Sequence, residues 1–219
     1  MTISIALISA TVFALVHVLG TRFSAVLEKD KHSAGALGGG VAVSFVFLEL
    51  MPELDHGHEL VGDLIEFVVL AGFIVVYGLN HLAHRRSGTH VFSIQLLVAA
   101  LYNWLLVYSF PRSSDVQELT GCAVLIVHLF FSDHSLRSSA PEAYDRWGRW
   151  VLAAASMLGW VTLTWVGPQT PLVDDILVAL LAGTIIYNVF SEDLPHYKHM
   201  KFHWFIAGIA VYLVLSLLI

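Results

Sequence analysis

The sequence has little charge and almost no cysteine for its length. Of 219 residues, 13% are charged and 57% are hydrophobic, and the mean hydropathy of +0.75 lies outside the range usual for soluble domains. This composition excludes a soluble enzyme. The single cysteine, Cys122, excludes an intrachain disulfide and a cysteine-cluster metal site. A net charge of −6 argues against a nucleic-acid partner.

Signatures of nucleotide binding and of hydrolysis are also missing from the sequence. It contains no phosphate-binding loop of the Walker type, no dinucleotide fingerprint and no Ser-His-Asp signature. We therefore expect a protein that is not an enzyme, with no catalytic residues, no bound cofactor and no ATPase activity of its own.

Long apolar stretches recur along the chain instead. Each has roughly 18 to 22 residues, enough to cross a hydrocarbon core about 30 Å thick at about 1.5 Å per helical residue. The first begins at Ile3 without the basic flank and cleavage site of a signal peptide, so it is predicted to be a span. The pattern predicts an all-α polytopic membrane protein with a single transmembrane domain, residues 1–219, and eight spans. These are about 3–21, 34–52, 61–82, 91–110, 118–136, 149–166, 174–194 and 202–219.

The basic residues lie almost entirely on one side of this predicted topology. Ten of the eleven Lys and Arg residues fall in connections 1–2, 3–4, 5–6 and 7–8, and Arg112 falls on the opposite side. Basic residues near span ends favour the cytoplasm, so both termini are predicted to face the non-cytoplasmic side. The outward connections carry carboxylates such as Asp55 and Glu59, either as a mouth that attracts cations or simply as solubilising groups.

The chain also resembles itself when span 2 is aligned with span 7. Five identities relate the two spans: Gly40 to Gly183, Val46 to Val189, Phe47 to Phe190, Glu49 to Glu192 and Pro52 to Pro195. The same offset lays span 1 over span 6 and span 3 over span 8, with spans 4 and 5 between the repeats. Because spans 2 and 7 run in opposite directions, the predicted repeat is inverted, which favours a transporter with a midplane substrate site. Glu49 and Glu192 are either interfacial helix-end carboxylates or symmetry-related gates.

These features resemble the ZIP family of divalent-metal transporters. The resemblance rests on the eight-span topology, on Glu49-Leu-Met-Pro-Glu53 in span 2 and on Ala182-Gly183-Thr-Ile-Ile-Tyr187 in span 7. It implies a secondary transporter that moves a divalent metal cation, zinc foremost, by alternating access, with two repeats around spans 4 and 5. The partners that it implies are the transported metal ion and membrane lipids, and it allows a homodimer.

The family binds metal on spans 4 and 5, and the chain departs there from the family motifs. The resemblance implies a metal site of Asn103 on span 4 with His128 and Asp133 on span 5. On a regular helix His128 and Asp133 point about 140° apart, so they could serve successive sites along a path but not grip one ion. The site has one formal charge, which leaves a divalent ion incompletely neutralised. Other residues replace family ligands at Tyr102, Leu106, Leu129 and Ser132.

Two other functions remain open at this point. The missing ligands favour a ZIP-like scaffold or subunit that no longer transports. A zinc-dependent intramembrane hydrolase would require histidines from several spans to converge on one membrane face. Histidines at the span ends and in the connections, among them His58, His81 and His84, either bind metal or are ordinary surface residues.

Overall fold

The computed structural model describes residues 2–27, 31–84, 89–109, 115–167, 170–193 and 201–218. Every secondary-structure element in these ranges is a helix, which confirms the predicted all-α class. Three helical stretches are long and apolar enough to cross a membrane by length and composition, and three shorter ones are also apolar. The long stretches are Leu64–His81, Val91–Ser109 and Pro171–Ser191, and the shorter ones are Ala6–Gly20, Gly35–Leu50 and Phe202–Leu217. The described chain is therefore compatible with a membrane protein.

The described residues form ten α-helices, numbered in chain order. These are α1 Thr2–Leu27, α2 Lys31–Phe45, α3 Met51–Val61, α4 Leu64–His84, α5 Thr89–Ser109, α6 Asp115–Ser139, α7 Pro141–Ala143, α8 Arg149–Val166, α9 Pro171–Asn188 and α10 Phe202–Leu218. Three π-helical segments adjoin them: π1 Val46–Leu50, π2 Tyr144–Gly148 and π3 Val189–Asp193. All eight apolar segments expected from the sequence lie mainly in these helices, and α3 and α7 are additional elements.

Two of the π-helical segments occupy corresponding places in the chain. π1 begins at Val46 and π3 begins at Val189, two residues that the self-comparison of the sequence aligns. Pro52 follows π1 in the first turn of α3, a position where its missing N–H costs little. A π-helical turn is rare and often marks a functional position in a helix. Pro195, the expected counterpart of Pro52, lies outside the described residues.

Glycines bring three pairs of helices into backbone contact. Gly159 of α8 lies against the Trp104 carbonyl of α5, and the other two pairs resemble each other. α2 packs on α10, and α9 packs on α4. A Cβ atom added at any of four glycines would collide with the backbone of the opposite helix, so the helices approach as closely as small residues allow. The glycines and their neighbours are Gly40 against Phe205, Gly208 against Leu37, Gly183 against Val69 and Gly72 against Leu180.

The two helix pairs use equivalent positions for these contacts. Gly40 of α2 corresponds to Gly183 of α9, as in the self-comparison of the sequence, and Gly72 of α4 corresponds to Gly208 of α10. The second correspondence has a shorter offset than the first, so the single offset expected for the whole repeat is wrong for α4 and α10. The reason is that the connection containing α3 makes the chain longer between α2 and α4 than between α9 and α10.

The remaining long helices complete the bundle. α8 packs against α1 and α5, and α6 packs against α1 and α2. Buried apolar side chains from α1, α2, α5, α6, α9 and α10 form one continuous core, in which Phe13, Leu125 and Ile185 are almost fully buried. α1, α5 and α6 thus face one another in the interior, which positions the polar residues they carry.

A bidentate ion pair fastens the end of α6 to π2. Arg137 donates from Nε to Asp145 Oδ1 at 2.8 Å and from Nη2 to Asp145 Oδ2 at 2.9 Å. The hydrogen bonds from Arg137 lower the pKa of Asp145 below its ordinary value, although partial burial of the carboxylate opposes this effect. Both side chains keep some solvent exposure, 24% for Arg137 and 39% for Asp145. Solvent therefore screens the attraction, and the contribution to stability is modest.

We expect Gly183→Ala to lower the free energy of unfolding in detergent by about 1–3 kcal/mol, because the added methyl group would overlap the backbone of α4. Gly78→Ala in α4 is the matched control, since a Cβ atom there meets no other described atom within 4 Å. Alanine favours a helix over glycine by up to about 1 kcal/mol, so this control should be neutral or stabilising. Thermal unfolding followed by circular dichroism measures both variants. Equal unfolding temperatures would contradict the close approach of α9 to α4.

Asp145→Asn should lower the free energy of unfolding by about 0.5–1 kcal/mol at neutral pH, because it removes the charge that Arg137 binds. A carboxylate whose pKa falls on folding stabilises the protein above its unfolded value of 3.8. That stabilisation is lost as the pH falls through the lower folded value, so the wild-type advantage should vanish in strong acid. Arg146→Ala, at a neighbouring exposed cation, should change stability little. A difference between Asp145→Asn and wild type that does not vary with pH would contradict the ion pair.

Candidate functional site

A buried histidine on α1 joins three helices. The His17 side chain is fully buried, and its Nδ1 atom lies 2.8 Å from Asp133 Oδ2 on α6. Its Nε2 atom lies 2.9 Å from Asn103 Oδ1 on α5. Asn103 and Asp133 are themselves almost fully buried, at 2% and 5% exposure. We call His17, Asn103 and Asp133 the polar core.

The hydrogen bonds of Asn103 determine the tautomer of His17. Asn103 Nδ2 donates to the carbonyl oxygen of Ala99, one turn earlier in α5, at 2.8 Å. The amide oxygen of Asn103 therefore faces His17, and an amide oxygen can only accept a hydrogen bond. His17 must accordingly donate from Nε2, so this ring nitrogen carries a proton.

The bond between His17 and Asp133 then requires one further proton. If Asp133 is ionised it can only accept, and His17 must donate from Nδ1 as an imidazolium. If His17 is neutral, Asp133 must be protonated and donate to Nδ1. In either form the pair has no net charge, which lowers the cost of burying it in an apolar interior.

Residues from α1 and π2 lie beside the Asp133 carboxylate. Gly20 lies beside it on α1, where an added Cβ atom would stand 3.9 Å from Asp133 Oδ2. Tyr144 of π2 lies close by and is 1% exposed. Burial, followed by the negative charge of Asp133, raises the pKa of the Tyr144 phenol above its usual range. The phenol therefore stays neutral at physiological pH.

Two of the three predicted metal ligands, Asn103 and Asp133, lie close together in the structure because both contact His17. The third, His128, packs edge-on against Tyr102 with 6.0 Å between ring centroids. His128 is also buried, at 3% exposure. Among the described side chains, no group of three or more His, Cys, Asp or Glu residues could hold a metal ion. The metal site of Asn103, His128 and Asp133 stays a prediction.

A cavity of about 540 Å³ lies next to the polar core. It is located where α4, α6 and α9 end and α5 begins, and its described lining consists of amide, hydroxyl and apolar side chains. Ala99 and Tyr102 line it from α5, and Ser132 lines it from α6. Tyr102 and Ser132 directly precede Asn103 and Asp133 in the sequence, and the Ala99 carbonyl accepts the hydrogen bond from Asn103, but the described lining includes no side chain of the polar core. The outer end of the cavity includes the exposed Ser138, Ser139 and Ser191.

A second polar contact joins α10 to π1. The Tyr212 hydroxyl donates to Glu49 Oε2 over 3.3 Å, a long distance for a hydrogen bond between two oxygens. Tyr212 is 1% exposed, so the contact is largely shielded from solvent. Glu49, one of the two carboxylates considered as gates, thus has a partner on a different helix.

Three of the histidines predicted at the span ends and in the connections, His58, His81 and His203, have described side chains, and the His203 ring lies 6.0 Å from that of Trp204. His58 lies 3.7 Å from Asp63 and 4.0 Å from Glu66 in a solvent-exposed group. His81 stacks on Tyr77. The side chains of His84, His90, His196 and His199 lie outside the described part of the chain.

Comparison of the chain with protein-family models and with curated proteins finds no match. The resemblance to ZIP transporters therefore rests on the sequence of this chain alone.

Sequence reasoning missed His17 although a signal was present. His17 is the only ionisable side chain within the apolar stretch 3–21. The rule that drew attention to His128, a titratable group deep in an apolar span, applies equally to His17. The family motifs lie on spans 4 and 5, so the resemblance indicated no site residue in span 1.

A double-mutant cycle tests the pairing in the polar core. We expect His17→Leu to lower the free energy of unfolding by about 3–5 kcal/mol, because Asp133 is left buried without its partner. The double variant His17→Leu/Asp133→Leu removes both members and should recover much of this loss. Chemical unfolding in detergent measures the wild type, both single variants and the double variant. Additive losses would contradict direct pairing of the two side chains.

Proposed function

We propose that this protein is a ZIP-like secondary transporter that moves a divalent metal cation, zinc foremost, across a membrane by alternating access. The observation that carries the proposal is the convergence of α1, α5 and α6 on a buried polar core beside a polar cavity. Ionisable groups are costly inside a membrane and usually serve a pathway. The cavity supports such a pathway, because its lining runs from exposed serines to Tyr102 and Ser132, which precede Asn103 and Asp133 in the sequence.

The proposal includes an eight-span topology with both termini outside the cytoplasm, which rests on the distribution of basic residues, and an inverted repeat of spans 1–3 and 6–8, which two features of the helix packing favour. The α2–α10 and α4–α9 pairs use equivalent glycines, and π1 and π3 occur at equivalent positions. α5 and α6, which carry Asn103 and Asp133, correspond to the two spans between the repeats. Transporters built from inverted repeats place their substrate site at this kind of interface.

In this proposal the transported cation and His17 compete for the same two oxygen atoms. His17 holds Asn103 Oδ1 and Asp133 Oδ2, so an ion can use both oxygens only when the ring has moved away. The polar core has one carboxylate, which implies weak binding of a divalent ion. Weak binding is compatible with transport, since a transported ion must leave the site as well as enter it. Tyr102 lines the cavity, and His128 packs against Tyr102 one helical turn deeper in α6 than Ser132.

One observation favours a second candidate, a ZIP-like membrane scaffold or subunit that does not transport. The polar core is internally satisfied, because His17 bonds both neighbours and Asn103 also bonds Ala99. A hydrogen-bonded network without unsatisfied groups can have a purely structural role, which here is to hold three helices in register. The two candidates differ in whether a cation can displace His17.

Uptake of zinc, iron, manganese and cadmium into proteoliposomes tests the proposal. We expect saturable uptake of at least one ion by the wild-type protein and a loss of at least about tenfold in Asp133→Asn, which removes the only carboxylate of the polar core. His128→Ala should also reduce uptake, since it removes a predicted ligand. Glu142→Gln, the same kind of change at an exposed carboxylate, should leave uptake unchanged, and empty vesicles give the background.

The outcome decides between the two candidates. No uptake of any of the four ions by protein that unfolds cooperatively would refute the proposal and favour the scaffold. Uptake that is unchanged in both Asp133→Asn and His128→Ala would support a transporter whose ion does not use these ligands.

A further inference from the structure

The two equivalent helix pairs differ in polarity at the position of Tyr212. Equating Gly72 with Gly208 places Val76 of α4 at the position of Tyr212 of α10. Tyr212 donates a hydrogen bond to Glu49 of π1. Val76 is buried, at 4% exposure, and has no hydroxyl group to donate. The α2–α10 pair therefore has a polar link that Val76 cannot supply in the α4–α9 pair.

The cavity lies on the side of the pair without the link. Asn80 of α4, Tyr187 and Asn188 of α9 and Ser191 of π3 contribute to its lining. The positions equivalent to Tyr187 and Asn188 are Ser44 and Phe45 of α2, and both are buried, at 5% and 8% exposure.

Ser44 is held inside its own helix by a short hydrogen bond. Its hydroxyl donates to the carbonyl oxygen of Gly40 at 2.9 Å. The cavity thus opens between the α4–α9 pair and the central helices. At the equivalent place beside α2, packed residues fill the space.

We propose that the Tyr212–Glu49 hydrogen bond is a latch that closes the outer half of the pathway. Val76 at the equivalent place has no hydroxyl for such a bond, and the cavity lies on this side of the bundle, which faces the cytoplasm in the proposed topology. The resting conformation is therefore open toward the cytoplasm. This inference rests on the proposed function, because it assigns the two halves to an alternating-access pathway. It adds that a side-chain difference between the repeats determines which of the two conformations, inward-facing or outward-facing, is preferred.

The sequence offers a simple way to report on both halves. Cys122 is the only cysteine, and Cys122→Ser keeps a polar group near Ser9, whose hydroxyl it contacts at 3.1 Å. In this background Ser44→Cys reports on the outer half and Ser132→Cys reports on the cavity. A membrane-impermeant maleimide is applied to intact cells for the outer face and to inside-out vesicles for the cytoplasmic face.

We expect Ser132→Cys to react in inside-out vesicles and Ser44→Cys to resist labelling from either face. Adding Tyr212→Phe removes the donor of the latch, and labelling of Ser44→Cys in intact cells should rise about tenfold, as expected for losing a hydrogen bond to a charged group. Adding Glu49→Leu should have the same effect. Glu49→Gln keeps an acceptor oxygen and should leave Ser44→Cys protected.

Three results would overturn the latch. They are reaction of Ser44→Cys from outside with Tyr212 intact, continued protection of Ser44→Cys in both Tyr212→Phe and Glu49→Leu, and failure of Ser132→Cys to react from the cytoplasmic face. Labelling needs no transported ion, so it is independent of the uptake assay. Absent uptake with the expected labelling would refute cation transport alone, whereas uptake with a protected Ser44→Cys in Tyr212→Phe would refute the latch alone.

Discussion

The arrangement of the central helices depends on one imidazole ring that must satisfy both of its nitrogens in an apolar interior. His17 cannot reach water, so α1 has to meet an acceptor on α5 and a carboxyl group on α6 at the same point. Burying a polar group without a hydrogen-bond partner at this depth would cost about 2–7 kcal/mol of folding free energy. Asn103 in turn is oriented by Ala99 of its own helix, so the network has a fixed direction of donation. The polar core thereby specifies helix rotation, which apolar packing alone leaves loosely determined.

A different constraint organises the outer helices: glycines, which have no side chain, lie where these helices touch. Where Gly40 meets α10 and Gly183 meets α4, backbone touches backbone, and dispersion contacts between the backbones hold the helices together. These contacts fix two helix pairs on either side of α5 and α6. The polar core and the glycine contacts are therefore complementary, since one sets the centre of the bundle and the other sets its flanks.

Sequence reasoning predicted the parts of this structure that depend on local pattern. Apolar length located the helices, and the self-comparison located Gly40, Gly183 and the two segments that form π1 and π3. It could not find the partner of Asp133, because His17 lies far away in the chain and spacing within a helix shows a face but not the neighbour that it meets. The shorter offset between α4 and α10 was missed for a related reason: only the glycine contacts between helices reveal how α3 shifts the register.

An inverted repeat gives a transporter two conformations of similar free energy, because the same backbone contacts form in either half. Only a difference of a few kcal/mol is needed to populate one of them almost exclusively. The glycine contacts are alike in both helix pairs and so cannot provide that difference. Side chains at equivalent positions can, and Tyr212 in the place of Val76 is such a difference. Conformational preference can therefore change through single substitutions while the packing that defines the fold stays the same.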